Sequence, residues 1–537
     1  MDPSSLRSLS SILAKNKPAS KDSLSALAGR LAEEPLATVY TKPKVSPPSG
    51  YTIDDEEEQT PAPPPKAYAP IVPPPPGPVA DPDEDEEDEE TFSAPASIPL
   101  IGSPRQSNGL GELKPPTPES IEHTGLSAKL IEQLIVKMIY YRGQIVGHEL
   151  AAELGLQFSV IDGIMDQLKS SYHIIVRSSL GMGMISSRFE LTDSGRTLAR
   201  EYIEISAYTG KAPVPLFQYV DIVRRQKQRD SWLNMDMLKD CYKHMVVTDQ
   251  ILNQVGPAVN AGKSFLIYGM PGNGKTYLAE ALNNLDKTMI YIPYAIEAQG
   301  MIIQLYDPLY HTPEDTAADE PSSMSNAGAH DRRWFQSRRP FIVSGGELTL
   351  DTLDLSYNSQ AKSYDAPLHM KANNGIYLID DFGRQKVTPA EVLNRWIIPM
   401  ERRIDFLSFQ NGTKMHVPFE VFLVFSTNLK PDDLGDEAFL RRIQYKMLMR
   451  SPDDFEFASI FKRFAESQKL QTTPKLIVDF IDRQYRKSKK AKRRCQPRDI
   501  LTHAIDIIRF ERREWELTPD VLDKAFESCF VQVDEEM

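Results

Sequence analysis

Long apolar runs are missing from this sequence. No stretch approaches the roughly 18 apolar residues that a membrane-spanning helix needs, and the first residues lack the charged-then-apolar layout of a secretory leader. A chain without a membrane span, in the cytoplasm, is the expectation. Cysteine is scarce as well. The three thiols, Cys241, Cys495 and Cys529, are too few and too far apart for a disulfide framework or a zinc site. They read as ordinary thiols in a reducing compartment. No repeat of about 20 to 50 residues recurs, which excludes solenoids and propellers. The 537 residues leave room for two or three domains, each with its own core.

Positive charge is in deficit, but only locally. The net charge is −13, yet residues 1–118 hold 10 Lys/Arg against 19 Asp/Glu, so nine of those charges sit there and the remainder is nearly neutral. The same segment carries proline runs at Pro61–Pro65 and Pro73–Pro78 and an acidic run from Asp81 to Glu90. Such a composition buries too little apolar surface to offset the entropy of ordering, so residues 1–118 are expected to be a disordered tail. The stretch Ser4–Leu13 has the pattern of a short docking helix, though a solvated tail suits it better.

From Gly125 the pattern becomes that of compact structure. Leu130, Ile131, Leu134, Ile135 and Met138 repeat at helical spacing. Helices over 147–154 and 159–169 follow, then extended runs over 173–177 and 187–191 joined by Gly181-Met182-Gly183. Thr192 caps a last helix. With its ending Phe189-Glu190-Leu191-Thr192-Asp193-Ser194-Gly195, the segment 120–206 resembles a winged-helix domain. A linker over 207–231, with Pro213, Pro215 and the basic segment Arg224–Arg229, leads to an α/β body over 232–452. Residues 453–537 are helical in period.

The body carries the chemistry. Gly269-Met270-Pro271-Gly272-Asn273-Gly274-Lys275-Thr276 fits the phosphate-loop pattern, with an apolar strand (264–268) before it and a helix after it. Glycines let backbone N–H groups close on phosphate oxygens at a helix N-terminus. Lys275 then reaches the β- and γ-phosphates, and the Thr276 hydroxyl ligates Mg²⁺. A second strand, Gly375-Ile376-Tyr377-Leu378-Ile379, ends in Asp380-Asp381 and delivers the Asp380 carboxylate to that metal. A third, Val421–Phe425, ends in Ser426-Thr427-Asn428, residue types that also serve as helix caps. Asp436-Glu437-Ala438-Phe439-Leu440-Arg441-Arg442-Ile443 follows, and Gln496-Pro497-Arg498-Asp499 opens a helix near the end.

These five elements, in this order, resemble an AAA+ ATPase module over about 232–530. With the winged-helix-like segment ahead of it, the chain resembles a bacterial type of predicted ATPase. The resemblance implies an α/β fold class: a parallel-sheet phosphate-loop nucleotide domain with a small all-α lid over 453–537, binding ATP with Mg²⁺. It also implies a ring of subunits, six in the usual case, with ATP at the interfaces. Asn428 would be the first sensor, orienting the lytic water. Arg441 or Arg442 would be the arginine finger, with surface ion pairs as the alternative, and Arg498 the second sensor. At Asp381 the family usually has Glu, which polarises the attacking water; the side chain here is one methylene shorter, and either slow hydrolysis or a compensating shift of the main chain is the consequence to test.

Between Lys275 and Asp380 lies extra sequence, about 306–368. It includes a polar piece (312–329), a basic piece (Arg332, Arg333, Arg338 and Arg339 around Trp334), and extended runs at 341–343 and 348–357. Tyr306, Tyr310 and Met301–Ile303 are either contacts for a threaded partner or core of a subdomain. DNA binding is not favoured. The helix over 159–169 offers Asp162 and Asp166 against Lys169, and the wing is apolar (Leu180, Met182, Met184), with Arg177 and Arg188 at its base. The run Arg483–Arg494 is the remaining basic candidate, as a nucleic-acid patch, a solvated loop or a dock for the acidic tail. The reading is ATP hydrolysis coupled to remodelling or assembling a protein target, chosen through the winged helix and the insertion. The alternatives are an ATP-switched nucleic-acid-associated or transcription-regulating factor, and a non-hydrolysing scaffold.

Overall fold

The computed structural model describes residues 114–179, 181, 183–227, 232–314, 330–435, 440–487 and 490–530. The proline and acidic runs of the tail lie outside the described residues, as do Leu180 and Met182, Arg229, residues 315–329, Asp436–Phe439 and Lys489.

The first described body runs α1 (Ala128–Arg142), β1 (Gln144–Val146), α2 (Gly147–Leu154), α3 (Phe158–Ser170), β2 (Ile174–Ser179), β3 (Ser187–Leu191) and α4 (Asp193–Ile205). The strands form an antiparallel sheet in the order β1-β3-β2. The helical repeat of α1 puts Ile131, Leu134, Ile135 and Met138 against Leu150, Ile161, Met165 and Phe189 in one core. Thr192 caps α4 by accepting the Gly195 N–H at 3.0 Å. At Gly195 a Cβ would lie 2.0 Å from the His173 carbonyl, so only glycine lets β2 and α4 approach this closely.

The described part of the span expected as linker, residues 207–227, is structured instead. β4 (Val214–Pro215) and α5 (Leu216–Arg225) precede α6 (Met235–Cys241), α7 (Asp249–Ala261), β5 (Ser264–Tyr268) and α8 (Lys275–Ala281). Then come β6 (Met289–Pro293), β7 (Ala295–Ala298), β8 (Met301–Gln304), β9 (Trp334–Arg338), β10 (Phe341–Ser344), β11 (Ser356–Asn358), β12 (Ser363–Asp365) and β13 (Ile376–Ile379). The body closes with α9 (Pro389–Arg402), β14 (Ile404–Ser408), β15 (Lys414–Pro418), β16 (Phe422–Thr427) and β17 (Tyr445–Leu448).

Five strands make an all-parallel sheet in the order β10-β13-β16-β5-β17. Its central strands β13, β16 and β5 are short, mainly apolar runs because both faces are covered. Leu266, Tyr377, Ile379, Leu423 and Phe425 meet Leu393 and Trp396 of α9 on one face. Their neighbours Phe265, Ile267, Leu378 and Val424 meet Val255 of α7 and Leu278 of α8 on the other. This alternation is the period of two that a strand imposes. Thr388 and Glu391 start α9 with a reciprocal capping box.

The inserted material does not have the boundaries expected of it. Residues 341–344, placed by sequence within the insertion, are the edge strand of the main sheet, since a short, largely apolar run looks alike in either role. The insertion instead falls on both sides of β10. It builds a second sheet, β11-β12-β8-β7-β4, in which the former linker supplies the last strand, and a separate β6–β9 ribbon. Ile303, Trp334, Phe335 and Tyr364 share a core there with Leu407 and Met415 of the β14–β15 hairpin. Ile302 and Ile303 are buried, and Tyr306 packs its ring 5.2 Å from Tyr294 and 5.0 Å from Phe335. Tyr310 packs on the main-sheet core. Ile302, Ile303, Tyr306 and Tyr310 thus take the core reading, whereas Met301 is exposed.

Two arginines of the basic piece are structural rather than free. Arg333 and Asp331 are buried together, 2.8 Å apart, and the guanidinium also donates to the carbonyls of Thr124 and Pro213. Arg339 pairs with Asp286 at 2.6 Å. The backbone of Asp331 donates to the Pro115 carbonyl at 3.0 Å, so the chain is docked from residue 115 although the tail was expected to extend to 118.

Residues 454–529 form α10 (Asp454–Ser467), α11 (Pro474–Ile481), a π turn (482–486), α12 (Gln496–Glu511) and α13 (Pro519–Cys529). They close on their own core of Phe457, Phe461, Phe480, Tyr485 and Phe526.

Candidate nucleotide site

At the C-terminal edge of the parallel sheet, β5 turns into α8 through 269–276. Gly274, with φ +82°, caps the start of α8 in a left-handed conformation that suits glycine. Gly272, φ +77°, carries a second constraint: a Cβ there would lie 2.7 Å from the Cys495 sulfur of the helical body. The first N–H groups of α8 have no acceptor within the helix, so Lys275, Thr276 and the amides before them present donors at one point. Asn273 is buried and donates through Nδ2 to the Met449 carbonyl at 3.2 Å, while its Oδ1 is buried without a partner.

β13 and β16 end beside this loop. The Thr276 hydroxyl lies 2.9 Å from both carboxylate oxygens of Asp380. Lys275 Nζ donates to Asn428 Oδ1 at 2.6 Å and to the Met270 carbonyl at 3.3 Å. Asn428 Nδ2 in turn donates to Asp381 Oδ1 at 2.7 Å. One line of contacts thus joins three separated segments: loop lysine, β16 amide and β13 carboxylate. Burial holds the Lys275 amine below its usual pKa, and the carboxylates of Asp380 and Asp381 oppose that shift.

The arginines are placed less centrally. Arg442 pairs with Glu401 of its own chain at 2.9 Å, whereas Arg441 is exposed. Arg498 stands exposed at the start of α12, 3.2 Å from Asp499. Burial and the Glu280 charge push the Tyr277 phenol up, and the Arg463 and Arg498 charges oppose that shift.

Sequence reasoning missed that the strap between the π turn and α12 packs on the 269–274 loop. Cys495 N–H donates to the Gly272 carbonyl at 2.9 Å, and Arg493 reaches Ser451 at 2.7 Å. Arg494 donates to the Val246 carbonyl at 3.0 Å and pairs with Glu456 at 2.7 Å. A main-chain contact of this kind leaves no signal in residue type. Other described cations of the basic run are also engaged. Arg483 pairs with Asp523, and Arg486 and Lys492 both pair with Asp454. Lys490 lies over the Phe526 ring at 4.6 Å.

Comparison with known proteins adds little to this geometry. A family model described as a domain of unknown function (DUF8689) matches residues 453–528, the helical body. No curated protein matches the chain. Among solved structures, NtrX from Brucella abortus is similar at 12% identity over 61% of this chain, with a TM-score of 0.31. The chain spans 61% of the length of that protein. A point mutant of RuvB from Thermotoga maritima is similar at 14% identity, covering 56% of this chain and 73% of its own, with a TM-score of 0.29. Function therefore rests on this chain's own side chains.

Proposed function

We propose that this chain is an AAA+ ATPase that binds ATP with Mg²⁺ in the 269–276 loop and hydrolyses it. The observation that carries the reading is the convergence of Thr276 on Asp380 and of Lys275 on Asn428 and Asp381. The donor set fits the ligand. A hydroxyl and one carboxylate are hard oxygen ligands of the kind Mg²⁺ takes when nucleotide phosphates and water complete its shell. Lys275 neutralises phosphate charge, and Asp380 and Thr276 hold the metal. Asp381, fixed by Asn428, polarises the attacking water. The helical body over 453–530 acts as the lid, since its strap already touches Gly272, and Arg498 is its sensor. Arg441 is the finger, offered to a neighbouring subunit of a ring. The segment 120–206 is a winged-helix domain that, with the second sheet, selects a protein target to be remodelled.

A nucleic-acid role has less support. The described cations at 483–494 are engaged in ion pairs, ring contacts and hydrogen bonds, and α3 presents Asp162 and Asp166 where phosphates would need cations. The test is nucleotide binding together with phosphate release. Lys275→Ala is expected to lose binding, and Asp381→Asn to bind and not hydrolyse. Hydrolysis by Lys275→Ala at the parental rate would show that the site is misassigned. A parent chain that binds ATP and releases no phosphate would be the scaffold.

A further inference from the structure

The turn after β13 holds Asp381 in an unusual backbone conformation. Its φ is +49°, in the left-handed region that few side chains other than Asp and Asn enter readily. Gln385 spans this turn. Its Nε2 donates to the Asp380 carbonyl at 2.8 Å, and its Oε1 accepts the Gly383 N–H at 2.8 Å. Phe382, the next residue, is tied to β16 twice. Its N–H donates to the Ser426 carbonyl at 2.8 Å, and its carbonyl accepts from the Thr427 hydroxyl at 2.6 Å. Asp381 is therefore held on both flanks while its carboxylate points to Asn428.

We propose that Gln385 is a positioning residue: by closing the 380–383 turn it keeps Asp381 left-handed and so aims a short carboxylate at the phosphate loop. This rests on the reading of Asp381 as the group that polarises water. It also accounts for the residue type. A left-handed backbone redirects the Cα–Cβ bond, and Asp tolerates that conformation where Glu does so poorly. Asp381 is then the side chain this turn accepts, and Gln385 takes up the difference in reach by fixing the main chain. The amide suits the task because it offers one donor and one acceptor together, matched to a carbonyl and an N–H three residues apart.

The experiment measures ATP hydrolysis by the full chain under single-turnover conditions, so that slow residual rates are read, beside nucleotide affinity. Gln385→Ala is expected to slow hydrolysis about tenfold or more and leave affinity within about twofold, because the loop is untouched and Asp380 keeps its N–H on the Ser344 carbonyl and its carboxylate on Thr276. Gln385→Glu keeps the acceptor and loses the donor, and should fall between. In an Asp381→Asn background, Gln385→Ala should cost nothing further, since the effect passes through that carboxylate. Asp381→Glu should be no faster than the parent. The proposal is overturned if Gln385→Ala slows both backgrounds by the same factor, if affinity falls in step with rate, or if Asp381→Glu is about tenfold faster. Parental hydrolysis by Gln385→Ala beside an inactive Asp381→Asn sinks the clamp alone. Parental hydrolysis by Asp381→Asn sinks the underlying reading of the site.

Discussion

Arg333 offers a test of how the body over 120–206 is joined to the second sheet. Its side chain and that of Asp331 are 1% and 2% exposed. The guanidinium engages both Asp331 oxygens, the carbonyls of Thr124 and Pro213, and Gln218 Oε1. It thus ties together three stretches of chain that share no secondary structure. Arg333→Met keeps most of the length and removes every donor. The Asp331 carboxylate is then left buried without its counterion, along with three acceptors. Losing one partner of a buried pair costs about 3–5 kcal/mol, a large part of a total stability of about 5–15 kcal/mol. Arg333→Lys retains charge without the planar fork and should lose less. The double change Arg333→Met with Asp331→Leu removes both charges and should recover most of the loss. Urea unfolding followed by circular dichroism reads the size of the effect, and limited proteolysis within 207–231 reads local opening. A shift below about 1 kcal/mol for Arg333→Met, or a double variant no better than the single one, would refute the argument.

Two further outcomes follow from other sites. Arg441→Ala should lower hydrolysis by an order of 10³ if it serves as the finger, while Arg442→Ala, whose side chain holds Glu401, should cost far less. Mixing Arg441→Ala with Lys275→Ala should restore part of the rate; a chain that stays monomeric by light scattering and hydrolyses normally would exclude action between subunits. Lys137 is buried with its amine on the Ser206 carbonyl at 2.9 Å, and burial pushes its pKa down to about 8. Between pH 8 and the unfolded value of about 10.5 the unfolded chain binds the extra proton, so this residue makes stability rise with pH across that window. Lys137→Met should be more stable at pH 7 and should flatten the rise by up to about 3 kcal/mol, read from unfolding curves at pH 7 and pH 10.

The strand, loop and helix over 264–281 were legible in the sequence because their requirements are local. A strand, a glycine-rich turn and a helix N-terminus sit within a dozen residues, and each restricts residue type by itself. The α1 repeat and the Thr192 cap were legible for the same reason. The apolar runs ending in Asp380 and Asn428 showed as buried strands, but only the sheet order put their ends beside Lys275. Charge was the least legible property. Arg333, Arg339 and the run from Arg483 to Arg494 look in sequence like a cationic surface, and a solvated arginine is spelled the same as a buried one. Their carboxylate partners Asp331, Asp286, Asp523, Asp454 and Glu456 come from up to 53 positions away, as for Arg339 and Asp286. Contacts made by the main chain left no trace at all. The edge strand Phe341–Ser344 became part of the main sheet only through its pairing with β13, and the strap reached Gly272 through the N–H of Cys495, which any residue but proline supplies. Local stereochemistry is written residue by residue; long-range pairing is decided by which surfaces the folded chain leaves for each side chain to meet.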